Sequence, residues 1–117
     1  MSRKIIAIGG GENGRLKSNV IHTPYETKQI DMEIINITGK QSPNFLFLGH
    51  SQNDISSEES YFQVMQNIYG SIFGCNCQTI KKHELKDNIY KVQELINWAD
   101  IIYEGGGDTK GMLELWF

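Results

Sequence analysis

Apolar runs of strand length alternate along this chain with segments whose apolar residues recur every three or four positions. That alternation leaves few folds open. Lys4-Ile5-Ile6-Ala7-Ile8 and Asn44-Phe45-Leu46-Phe47-Leu48 are continuously apolar rather than alternating, as strands buried on both faces are. Asp100-Ile101-Ile102-Tyr103 is another such run, and Cys75 to Ile80 is a weaker one interrupted by Gln78 and Thr79. Helical patterns lie between them. Thr23-Pro24-Tyr25-Glu26 reads as a helix start, with Thr23 as N-cap, Pro24 at the first helical position and Glu26 three residues after the cap. Ile30, Ile34 and Ile37 follow at helical spacing until Gly39. Ser56 with Glu59 forms a second capping box ahead of Phe62, Met65 and Tyr69, with Gly70 as the stop. Ile89, Val92, Ile96 and Ala99 mark a further helix, and Thr109 caps a last one that reaches Trp116-Phe117.

Strand and helix in strict alternation predict an α/β fold, a parallel sheet with helices on both faces, in one domain over residues 1–117. Apolar content places the strand at 4–8 in the centre, flanked by 44–48 and 100–103, and sends the more polar 75–80 to an edge.

Ligands of such sheets bind at the carboxyl ends of the strands. Two glycine triplets fall there, Gly9-Gly10-Gly11 after the first strand and Gly105-Gly106-Gly107 after the fourth, together with Gly49-His50-Ser51-Gln52-Asn53-Asp54 after the second. Consecutive glycines are costly in backbone entropy, and close approach of the backbone to a ligand is one compensation. The triplets are therefore candidate floors of one site.

Gly9 to Gly14 matches G-x-G-x-x-G literally. A dinucleotide loop, however, needs a helix opening at its last glycine, and Arg15 to His22 is polar and unpatterned. The acidic residue expected at the tip of the next strand is missing as well. Ser51 stands between strand and helix as a nucleophile elbow does, but Asn53 is too large for that strained turn, and His50 is badly placed to act as base for its own neighbour. The plainer reading has Ser51 or Asp54 bonding local backbone amides.

Composition narrows the partners. With 39% hydrophobic and 21% charged residues and a net charge of −3, the chain reads as a soluble globular protein without the basic footprint of nucleic-acid binding. No run approaches membrane-spanning length and the N-terminal apolar stretch is too short for a signal peptide, so a cytoplasmic location without membrane association is expected. Cys75-Asn76-Cys77 lacks two further ligands for a metal site and reads as two small residues of a strand. No metal and no cofactor are expected.

The segments IIAIGGG, IDMEIINITGK, PNFLFLGHSQND, EESYFQVMQNIYG and WADIIYEGGGDTKGMLELW, in that order, resemble the peptidase E family of serine peptidases. That family includes aspartyl dipeptidases and cyanophycinases and is related in fold to class I glutamine amidotransferases. The resemblance covers essentially the whole chain and implies a three-layer α/β/α, flavodoxin-like fold, of which this chain is the N-terminal half. It implies hydrolysis of peptide bonds near N-terminal aspartate or similar residues. In the family the triplet after this strand supplies backbone N–H to the oxyanion hole, a role that falls here on Gly106 and Gly107. Asp108 stands where many members have Asn, Thr109 would cap the next helix, and Gly10 and Gly11 would line the neighbouring strand end. With Ser51, these four residues are the candidates for substrate binding. The family's nucleophile lies in G-x-S-A-G after the following helix, with the histidine and its acid later still. None of these occurs in the 117 residues, and His22, His50 and His83 match no family base.

Two readings stay open. The chain is either part of a serine peptidase, as a truncated product or one piece of a split enzyme, or a stand-alone binding or regulatory module of the same fold. Met112, Leu113, Leu115, Trp116 and Phe117 crowd the last six positions, on a helix too short to be stable without packing. The isolated chain is thus expected to self-associate as a dimer or to require a complementary chain, and to leave N-terminal-Asp dipeptides unhydrolysed. Sedimentation at tens of micromolar together with Trp116 fluorescence checks the first expectation. A stable monomer with a solvent-exposed indole contradicts it.

Overall fold

The computed structural model describes residues 3–13, 16–17, 20–21 and 25–117. Its centre is the strand Asn44–Leu48. Below, this strand is β3, because two short ones precede it: β1 (Leu16–Lys17) and β2 (Val20–Ile21), paired antiparallel. On one side of β3 lies β4 (Asn76–Thr79) and on the other β5 (Ile101–Glu104), both parallel to it. The register sets Phe45 beside Cys77 and Ile101, and Phe47 beside Thr79 and Tyr103. The fold is α/β and flavodoxin-like, an open parallel sheet flanked by helices.

Successive side chains of a strand point to opposite faces, and β3 uses both. Phe45 and Phe47 enter one cluster with Ile34 of α1 (Lys28–Thr38), Met65 of α2 (Ile55–Met65), and Ile68 and Tyr69. Leu46 enters the other, with Ile80, Val92 and Leu95 of α4 (Ile89–Trp98) and Leu85 of the short α3 (Glu84–Asp87). Phe45, Leu46 and Phe47 are wholly buried, each contributing about 1.5–3 kcal/mol by removal from water.

Residues 4–8 form no strand. Ile5 is 97% exposed, and only Ile8 packs against the core. A strand has two hydrogen-bonding edges, and those of β3 are taken by β4 and β5, so the central strand is 44–48 rather than 4–8. The third strand does lie at an edge, as its polar residues indicated. Another difference is the antiparallel pair β1–β2, in a segment that reads as unpatterned.

The helix boundaries shift in an instructive way. Asp54, not Ser56, caps α2, its carboxylate accepting the Ser57 amide at 2.7 Å. Asn88 does the same for α4 through the Lys91 amide. In both cases the cap acceptor reaches the third helical N–H. Gly70 does not stop its helix either: the chain continues as a π-helical turn over Gln66–Ile72. That turn keeps both Ile68 and Tyr69 inside, Tyr69 stacking on Phe45 with centroids 4.1 Å apart. The expected N-cap Thr23 and Pro24 lie outside the described residues; α1 starts at Lys28 and ends at Gly39 in the left-handed conformation. Cys75 and Cys77 are free thiols packed in the core, with burial raising both pKa values, Cys77 to about 11.

One buried carboxyl ties the first layer together. Asp31 of α1 is fully buried and accepts hydroxyl hydrogen bonds from Tyr69 (2.5 Å), Tyr25 (2.6 Å) and Thr27 (3.2 Å). Burial, reinforced by the bond to Asp31, holds both phenols protonated far above their ordinary range. Asp31→Ala strands the two phenol hydroxyls, Thr27 keeping Asn13 Oδ1 at 2.8 Å, and is expected to cost on the order of 3 kcal/mol, against about 1 kcal/mol for Tyr25→Phe. Urea unfolding measures both; equal small losses would mean that Asp31 is not the hub.

Candidate active site

The carboxyl ends of β3 and β5 meet in two turns bonded to each other. After Leu48 the chain bends through Gly49, His50 and Ser51, the last two almost completely buried. His50 uses both ring nitrogens. The Ile80 carbonyl, 2.8 Å away, can only accept, so Nε2 carries the proton. The Trp116 indole, 2.9 Å away, can only donate, so Nδ1 accepts. Burial lowers the His50 pKa, against the opposing hydrogen bond to Ile80, and the ring is held neutral. A histidine so engaged is a packing residue rather than a base. It also anchors Trp116 of the last helix, α5 (Thr109–Trp116).

The triplet after β5 divides its labour. Gly105 extends the ladder by one bond, donating to the Leu48 carbonyl at 3.1 Å. A Cβ there would stand 2.7 Å from the Tyr61 ring. Gly106 offers its carbonyl to Gln52 Nε2 at 2.8 Å, and a Cβ on it would meet nothing. Gly107 has φ 148°, and its missing Cβ would lie 2.5 Å from the Ser51 carbonyl oxygen. That same oxygen accepts the Asp108 amide at 2.7 Å.

A consequence follows from peptide planarity. In a trans peptide the C=O and N–H point in opposite directions, so the Gln52 bond that fixes the Gly106 carbonyl turns the Gly107 N–H away from Gln52. Among the described residues, the amides of Gly106 and Gly107 have no backbone partner. Neither belongs to the β5 ladder, which closes at Gly105.

Asp108 caps α5, accepting the Gly111 amide at 3.1 Å, so Thr109 is the first helical residue rather than the cap. Its acceptor reaches the third helical N–H, which a side chain at Thr109 is one residue too late to do. Gly10 and Gly11 are placed elsewhere. The Cβ missing from Gly11 would press on Thr27 at 2.9 Å, and Glu12 exchanges backbone and side-chain bonds with Glu26, ahead of α1. Ser51, Gly106, Gly107 and Asp108 are thus brought together, whereas Gly11 faces Thr27 and a Cβ on Gly10 would meet nothing.

The residue that sequence reasoning passed over is Glu104, the last of β5. Its Oε1 accepts the Ser51 hydroxyl at 3.0 Å, a hydroxyl that also lies 3.2 Å from the Met112 sulfur. Its Oε2 is buried and, among the described residues, has no hydrogen-bond partner. Burial raises its pKa to about 7, opposed by hydrogen bonds from Ser51 and assisted by the like charge of Glu58. The signal was available: a carboxylate is an unusual last residue for an otherwise apolar strand that ends in glycines.

At the carboxyl edge of this parallel α/β sheet lie a glycine turn whose Gly106 and Gly107 amides have no backbone partner among the described residues, the capped start of α5 and the bonded Ser51–Glu104 pair. The chain belongs to peptidase family S51, whose family model matches residues 16–117. It is 29% identical, over 118 aligned residues, to an uncharacterized peptidase of Bacillus subtilis (strain 168), YgaJ. That alignment takes in 97% of this chain and 44% of YgaJ, so the chain spans less than half the length of this relative. No solved structure matches it. Among the described residues no helix is long and apolar enough to cross a membrane, and no group of three potential metal ligands occurs.

Glu104 makes stability depend on pH in a predictable direction. Its folded-state pKa of about 7 exceeds the ordinary 4.5, so its contribution is fully present below the ordinary value and is lost as pH rises through about 7. His50 acts oppositely, since its buried neutral ring loses stability as pH falls. Comparison with Glu104→Gln isolates the first effect. The melting temperature of the variant, relative to the parent, is expected to climb by several degrees between the ordinary carboxyl pKa and slightly alkaline pH. Parallel curves would contradict the burial of this carboxyl.

Proposed function

We propose that this chain contributes the oxyanion-stabilising wall of a peptidase E-like serine peptidase site, hydrolysing peptide bonds of short peptides. The Gly106 and Gly107 amides stabilise the developing oxyanion. The serine nucleophile, its histidine and their acid come from polypeptide other than these 117 residues. The observation that carries this reading is the Gly106–Gly107 peptide, held by Gln52 with its amide, unpaired among the described residues, beside the buried Ser51 turn. An oxyanion donor must be fixed before the charge develops, and a side chain gripping the opposite end of the same peptide provides that fixity. Membership of family S51 supports the hydrolytic class.

Ser51 is not the nucleophile in this reading. Its hydroxyl is committed to Glu104, the adjacent histidine is blocked by Ile80 and Trp116, and the residue is buried. Asp108 and Thr109 organise the start of α5 and the edge of the substrate site. The site is completed by family S51 polypeptide other than these 117 residues, in the same chain or in a complementary one. An open groove lined by Leu85, Ile89, Val92, Leu115 and Trp116, beside the exposed Leu113 and Phe117, supports such an association.

Supplying a family S51 segment that carries G-x-S-x-G in trans tests the proposal. Turnover of N-terminal-Asp dipeptides is expected only for the pair. Gln52→Ala should then lower kcat by roughly tenfold or more, with KM little changed, because removing an oxyanion donor outright costs about 100- to 1,000-fold. Turnover by the chain alone, abolished by Ser51→Ala, would overturn the assignment.

A further inference from the structure

Glu104 carries an unmet hydrogen-bonding capacity at the place where a ligand would sit. One oxygen is served by the Ser51 hydroxyl, and the other is buried and has no partner among the described residues. Among the described residues, the groups acting on it offer no cation. From α2 comes Glu58, whose charge has the same sign. From the turn after β3 come Ser51, already engaged, and His50, held neutral. From α5 comes Met112, whose thioether lies on the Ser51 hydroxyl. A buried carboxylate oxygen without a donor is destabilising and calls for an explanation in function.

We propose that Glu104 is a recognition residue for a primary ammonium group of the ligand, the free amino terminus of a peptide, bound at the end of β5 beside Gly106 and Gly107. The proposal rests on the peptidase reading for the nature of the ligand, and on Glu104 alone for the ammonium. A guanidinium fits less well: it pairs best with both oxygens of a carboxylate at once, and Oε1 is occupied by Ser51. An ammonium needs one oxygen as a point-charge partner. The like charge of Glu58 disfavours an ionised Glu104 in the empty site and favours a cation entering it.

Binding is then coupled to a proton. Glu104 titrates near neutrality because it is buried, so in the empty site many molecules carry the acid form. An arriving ammonium stabilises the carboxylate, and the carboxylic proton leaves to solvent while the ammonium keeps all its own. No other bond is made or broken. Since Oε2 is covered, entry requires a side chain to yield, and unbranched Met112, 3.2 Å from the Ser51 hydroxyl, is the flexible one beside the pair.

Titration calorimetry on the 117-residue chain at pH 7, in two buffers of different ionisation enthalpy, reads both affinity and proton release. The probes are a dipeptide with a free amino terminus, its N-acetyl counterpart, and an N-acetylated, C-amidated lysine carrying only a side-chain ammonium. The free dipeptide is expected to bind about tenfold or more tightly than the acetylated one, releasing a fraction of a proton. Glu104→Gln is expected to abolish both the preference and the release. Tighter binding of the lysine probe would overturn the amino terminus as the source of the ammonium. Equal binding of free and acetylated dipeptides without proton release would overturn the role of Glu104 and leave the peptide site standing. Binding of none of the probes would overturn the role of Glu104, while turnover by the completed pair decides the peptidase reading separately. If Glu104→Gln fails to fold, the proton count on the parent protein decides the matter.

Discussion

The structure depends on the burial of β3 on both of its faces. Phe45 and Phe47 hold α1, α2 and the π-helical turn against one side of the sheet, while Leu46 holds α4 against the other. The same strand supplies the ladder to both neighbours. Register between β3 and β5 carries Leu48 to the level of Glu104. Everything at the carboxyl edge is measured from that pairing: the Gly105 bond to Leu48, the Ser51 turn, and the approach of Gly107 to the Ser51 carbonyl. A shift of one residue would turn Phe45 and Phe47 toward the wrong face, so the apolar core and the geometry of the site are fixed together.

Much of this was legible in the sequence because β3 is a continuous apolar run and because strands and helices alternate. Apolar runs do not say which ladder they join. Residues 4–8 are as apolar as 44–48, yet the two edges of β3 go to β4 and β5, and Ile5 faces solvent. Caps were misplaced by one or two residues for a related reason. Asp54 and Ser56, or Asp108 and Thr109, are all good cap residues, and what decides is which oxygen reaches the third N–H of the helix. Glycine triplets look alike in sequence. One meets the chain ahead of α1 at Thr27 and the other meets Ser51, a distinction set by tertiary packing.

Glu104 and His50 show the same limit from the side of chemistry. His50 invites assignment as a base by residue type, but a carbonyl and an indole fill both of its nitrogens. Glu104 invites nothing by motif, but burial raises its pKa to about 7 and leaves one oxygen without a partner among the described residues. Neighbours, rather than residue identity, determine which titratable group is available for function.

The central claim is that the Gly106–Gly107 peptide presents an unpaired amide while the residues on either side are tied down. Amide hydrogen exchange on the labelled chain tests it residue by residue. Gly105, bonded to Leu48, and Asp108, bonded to Ser51, are expected to be protected, with Gly107 between them exchanging at least about tenfold faster. Protection of Gly107 equal to that of Gly105 would mean that its amide is already paired, and the oxyanion wall would be lost from the account.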